Sequence, residues 1–246
     1  MNNEATLEKM HSMKLHGMAL AFQATMEAGQ NNELTADEMA ALLVDAEWDQ
    51  RHDSRLNRLI RNAKFRYQAS MEQMNFRLKR NLDKNALMRF ADCSWIKRKQ
   101  NIIITGPTGV GKSFIACALG HQACMYGYRV QYFNATKLFA ALKLKKADGS
   151  HVKEINRIQR QELLILDDFG LEHLDRESRL SLMEIVEDRH GVRSTVITSQ
   201  LPVKNWHEII GDPTIADAVC DRIIHNSHRI DLKGESVRKK FQEDLT

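Results

Sequence analysis

The stretch NIIITGPTGVGKSF, residues 101–114, decides the fold. A β-branched run, favoured in strands, stops at a glycine and a proline. A second glycine then leads through Lys112 and Ser113 into apolar residues at helical spacing. Gly106–Ser113 fits G-x-x-x-x-G-K-S in full. In such a loop the glycines let backbone amides turn toward a phosphate, and the following helix N-terminus continues the anion nest. Contacts are expected along Gly106, Pro107, Thr108, Gly109, Val110, Gly111, Lys112, Ser113 and Phe114. Lys112 is placed to reach the β- and γ-phosphates of ATP, and the Ser113 hydroxyl to ligate Mg2+.

Downstream, LLILDDF (163–169) sends four apolar residues through a core and ends on two carboxylates. Asp167 is expected to complete the Mg2+ shell opposite Ser113. Asp168 is expected to orient or deprotonate the attacking water. STVITSQ (194–200) reads as the next buried strand, ending in Thr198, Ser199 and Gln200. One of the three is expected to touch the γ-phosphate or the water, with Ser199 the first choice. VQYF and HRIDL supply further short strands, and helical stretches separate them all. That alternation predicts an α/β protein, a parallel sheet flanked by helices on both faces.

Upstream of residue 98 there is no proline, and glycine occurs only at Gly17 and Gly29. This part reads as helix, with Gly29 as a C-cap and a Thr35-x-x-Glu38 capping box. Arg51, Arg55, Arg58 and Arg61 recur every three or four residues, and the basic stripe runs on to Arg66 beside Phe65 and Tyr67. Residues 1–75 are predicted to form a small all-helical domain and residues 76–246 the nucleotide-binding domain. The net charge of +4 conceals an acidic first fifty residues and a strongly basic second fifty, a footprint of a polyanionic partner. No apolar run approaches a membrane span, so no membrane is expected. Four cysteines without a CxxC pair predict buried, reduced thiols in a cytoplasmic protein, not a zinc site.

With these motifs in order, the chain resembles the AAA+ ATPases, and within them the IstB-like transposition helpers related to the helicase loader DnaC and the initiator DnaA. GPTGVGKSFIACALGHQA, LLILDDFG and the block STVITSQLPVKNWHEIIGDPTIADAVCDRIIHNSHRIDLKGESVRKK carry the resemblance. It implies an AAA+ P-loop fold and Mg-dependent ATP hydrolysis. Arg222 matches the arginine finger that reaches a neighbouring subunit's γ-phosphate, and Arg238 matches the sensor-2 arginine of the same subunit. The Asp167-Asp168 pair departs from the Asp-Glu of many AAA+ proteins and implies slow or partner-assisted hydrolysis. Residues 137–161 match the region that meets DNA in the related proteins, which makes Lys143, Lys145 and Lys146 candidate phosphate contacts. Arg55 and Arg58 form a second candidate surface, for duplex DNA or for another subunit. The implied partners are double-stranded DNA, a transposase and further copies of the chain in a ring or helical assembly. The alternative role is a DnaC-like helicase loader acting in replication.

Overall fold

The computed structural model describes residues 3–29, 34–78 and 80–237, and its packing divides the chain into two compact units between Arg58 and Leu59. The first unit holds α1 (Asn3–Ser12), α2 (His16–Glu27) and most of α3 (Ala36–Ala63). Lys14, in the left-handed conformation, breaks the apolar pattern between α1 and α2, and Gly29 follows α2 with φ of 67°. The capping box forms as the sequence predicts. The Thr35 amide donates to Glu38 Oε2 at 2.8 Å, and the Glu38 amide to Thr35 Oγ1 at 3.3 Å. Buried Glu47 on α3 accepts the amides of Gly17 and Met18 at the start of α2 and pairs with Arg51 at 2.6 Å. Burial alone would raise the Glu47 carboxyl, but Arg51 and the two amides outweigh it and hold it below its ordinary value.

In the second unit five strands form one parallel sheet: β1 (Asn101–Thr105), β2 (Val130–Asn134), β3 (Leu163–Phe169), β4 (Ser194–Ser199) and β5 (Ser227–Asp231), in the order β2-β3-β4-β1-β5. β1, β3 and β4 are covered on both faces, so their apolar residues stand side by side, Ile102–Ile104, Leu163–Leu166 and Val196–Ile197, and do not alternate with polar ones. Ile102 and Ile104 enter one core with Leu163, Ile165 and α6 (Lys112–Met125). Ile103 enters the other with Leu164, Leu166, α7 (Ala135–Ala147), α8 (His151–Gln159) and α9 (Arg176–Arg189).

Residues 59–75 do not belong with the helical module where the sequence reading put them. Ala63, Ala69, Met71 and Met74 are buried in the core cluster that holds α6, and burial of four apolar side chains outweighs helical periodicity in setting a boundary. Two short helices, α4 (Lys84–Met88) and α5 (Ser94–Lys97), then lead to β1. Beyond β4 come α10 (Trp206–Ile210) and α11 (Pro213–Ile224). All four cysteines are buried and free. Burial pushes the thiols of Cys93 and Cys124 up to about 12 and that of Cys117 to about 11. No described helix is long and apolar enough to cross a membrane.

Candidate nucleotide site

In a parallel sheet the strand C-termini share one rim, and the loop between β1 and α6 opens there. Gly111, with φ of 95°, is the left-handed N-cap of α6, and Gly109 lies at 87°. Any side chain at these positions would be strained. A Cβ on Gly111 would come within 2.5 Å of Arg80 Nη1, and one on Gly109 within 2.1 Å of Ser236 Oγ. The loop is thus pressed between two flanking segments. Lys112, nearly buried, folds back to donate to the carbonyls of Gly106 and Pro107 at 2.8 and 2.9 Å.

A cavity of about 440 Å3 opens over this loop, a volume suited to a small-molecule ligand. Thr108, Gly109, Gly111, Lys112, Ser113 and Phe114 line its floor, while Gly106, Pro107 and Val110 do not line it. Val110 is fully buried and anchors the loop from below. The far wall is built by Arg66, Tyr67, Gln73, Asn75, Leu78 and Arg80, from the segment that precedes β1.

Asp167 and Asp168 sit where β3 slips register against β4. Leu166 pairs with Ile197 but Phe169 pairs with Ser199, so β3 spends one more residue than its neighbour. Asp168 absorbs the bulge with φ of 58°. In a regular strand two consecutive side chains would face opposite sides. Here both carboxylates meet one guanidinium: Arg66 Nη1 lies 3.1 Å from Asp168 and 3.6 Å from Asp167. Asp167 is fully buried and accepts hydroxyls from Tyr132 at 2.5 Å and Thr198 at 2.6 Å. Burial and the Asp167 carboxylate both push the Tyr132 phenol far above its ordinary value, so it stays a donor. Asp168 reaches the cavity, flanked by Arg66 and by Asn134 Nδ2 at 3.4 Å.

Of the three polar residues ending β4, Thr198 and Gln200 join the site. Thr198 Oγ1 donates to Asp167 and accepts the Asp168 amide at 2.9 Å. Gln200 Oε1 accepts the Thr108 hydroxyl at 2.7 Å and lines the cavity. Ser199, the first choice from sequence, points elsewhere: its hydroxyl donates to the Phe169 carbonyl and accepts the Leu201 amide. Beside the bulge it is Thr198, not Ser199, whose hydroxyl meets the carboxylate. Arg66 likewise leaves the basic stripe to which the sequence assigned it, since α3 ends at Ala63 and Lys64 turns left-handed.

Arg222, in the last turn of α11, does not line this cavity. It pairs with Glu187 of α9 at 2.6 Å and donates to the Ala218 carbonyl. Arg238 lies outside the described residues. Lys143 pairs with Asp175 and Glu177, and Lys145 with Glu154, while Lys146 is exposed. Arg55 and Arg58 stand exposed on α3.

The cradle fits a nucleotide triphosphate by its chemistry: turned glycines, a helix N-terminus and a lysine all face one cavity. The hydroxyl of Ser113 and the paired carboxylates are hard oxygen donors of the kind Mg2+ takes. Phosphate loop, carboxylate pair and parallel sheet together define a P-loop nucleotide-binding protein of the AAA+ fold. Two solved structures share that fold: the DnaC helicase loader (TM-score 0.56, 19% identity, 68% of this chain and 98% of that one) and AMPPCP-bound DnaA from Aquifex aeolicus (TM-score 0.57, 17% identity, 74% and 56%). The chain belongs to the IstB-like ATP binding protein family, whose model matches residues 8–244. It is 48% identical over 234 residues to the insertion sequence ATP-binding protein y4pL of Sinorhizobium fredii, covering 95% of this chain and 96% of that protein.

Proposed function

We propose that this protein is a Mg-dependent ATPase that assembles on duplex DNA and assists a transposase in choosing and using a target site. The observation that carries the ATPase reading is the bulge in β3, which turns two carboxylates toward one guanidinium and brings Asp168 into a glycine-cradled cavity. Lys112 and the loop amides bind the β- and γ-phosphates. Ser113 and Asp167 would hold Mg2+, which neutralises phosphate charge when bound. Tyr132 and Thr198 fix the Asp167 carboxylate by hydrogen bonds from behind, as outer partners of a metal ligand do. Asp168 takes a proton from the attacking water as its oxygen bonds to the γ-phosphorus and the bond to the bridging oxygen breaks.

Arg222 stands away from its own subunit's cavity, which supports a role in completing a neighbour's site, and hence a nucleotide-dependent oligomer. The insertion-sequence context in the name of the y4pL relative supports transposition over helicase loading. Arg222→Ala is expected to leave ATP affinity within about threefold and to lower turnover at least a hundredfold, the scale of a trans arginine. Turnover that survives would remove Arg222 from the site. Electron microscopy with an ATP analogue and duplex DNA tests assembly: particles that stay monomeric would refute it.

A further inference from the structure

Two arginines of the second unit are buried without a carboxylate partner among the described residues, Arg80 at 4% exposure and Arg189 at 2%. Arg189 explains itself. Its Nε donates to Thr195, Nη1 to the carbonyls of Ile158 and Gln161, and Nη2 to that of Ser194. Every guanidinium nitrogen has an acceptor, and the side chain lines none of the cavities described.

Arg80 is built differently. Nη1 donates to the Val110 carbonyl inside the phosphate loop, and Nη2 to the Asn75 carbonyl, both at 3.1 Å. Nε is buried with no partner among the described residues. The guanidinium lies against Gly111 and lines the nucleotide cavity. Its backbone carbonyl also accepts the Lys233 amide, which ties the segment down. Asp168, the carboxylate that reaches this cavity, is engaged by Arg66. A buried cation needs an opposite charge, and nothing in the described wall of this cavity supplies one to Arg80.

We propose that Arg80 is a nucleotide-binding residue whose counter-ion is the polyphosphate of the ligand, added to the phosphate loop from outside its sequence motif. The inference rests on the nucleotide reading above and extends it to a position fixed only by folding.

Titration calorimetry with ATP, ADP and pyrophosphate, combined with thermal melts, tests this. Arg80→Met is expected to weaken all three ligands by a similar factor, about tenfold to a hundredfold, the scale of one charge-assisted contact. Because the substitution also removes a desolvated charge, the nucleotide-free variant should melt at or above the wild-type temperature while the ligand-induced rise shrinks. Arg80→Lys keeps the charge and should bind within about threefold of wild type. If Arg80→Met does not fold, Arg80→Gln replaces it with the same expectations. A variant that melts lower by the same amount with and without nucleotide, at unchanged affinity, would make Arg80 a strut and overturn the proposal. A wild-type protein that binds neither ATP nor pyrophosphate would instead overturn the nucleotide reading, and this proposal with it.

Discussion

Thr198 gives its hydroxyl proton to Asp167 and receives the Asp168 amide on the same oxygen. Replacing it with valine keeps the shape but leaves a buried amide without its acceptor, a cost of about 1–3 kcal/mol. Thr198→Val is therefore expected to lower both turnover and melting temperature. Ser199→Ala, one residue on, should leave turnover within about threefold, because that hydroxyl serves the Phe169–Leu201 turn. Steady-state kinetics of the pair decides between them: an inactive Ser199→Ala beside an active Thr198→Val would reverse the assignment. At this scale legibility follows contiguity. The phosphate loop and the Asp-Asp pair are unbroken strings whose chemistry is written in order. Arg66 and Arg80 line the cavity and Thr198 braces the carboxylates behind it, each from a separate segment, and which of them arrives depends on a helix end and a strand bulge that carry no local signature.

Helix ends carry the next level of control. α11 starts at Asp212, whose carboxylate accepts the Ile215 amide at 3.0 Å, with Pro213 following. Asp212→Ala should cost about 1 kcal/mol, read as a lower urea midpoint. α9 starts at Asp175, which accepts the Ser178 amide at 2.9 Å. The Ser178 hydroxyl and amide, and then Lys143, hold the Asp175 carboxyl well below its ordinary range. A depressed carboxyl stabilises the fold fully above its unfolded value, about 3.9, and the contribution is lost as pH falls below that through the folded value. Asp175→Asn should therefore narrow the stability difference from wild type as acid is added, which melts between pH 6 and pH 2 would show. Helix and strand types were readable from periodicity here. The division at Arg58 was not, because α3 continues unbroken past it while its last residues change core.

For the molecule as a whole, charge and topology set what meets what. The basic excess of residues 51–100 is not one surface. Arg66 and Arg80 line the nucleotide cavity, whereas Arg55 and Arg58 stand exposed on α3 as candidates for DNA. An Arg55→Ala, Arg58→Ala double variant is expected to flatten the slope of log affinity against log salt for duplex DNA by about two. An unchanged slope would assign the stripe to a protein partner.

The parallel sheet also leaves a second rim, where the strands begin, and no strand-start residue there lines the nucleotide cavity. Arg189 staples that rim together through carbonyls on both sides of it. Beside the staple, Gly191 and Val192 form an open turn, with Val192 53% exposed. The four native thiols are buried and pushed toward the unreactive protonated form. A single Val192→Cys substitution thus offers a one-dye attachment point in an otherwise wild-type chain. The proposed assembly on DNA can then be tested molecule by molecule from the side opposite the nucleotide cavity.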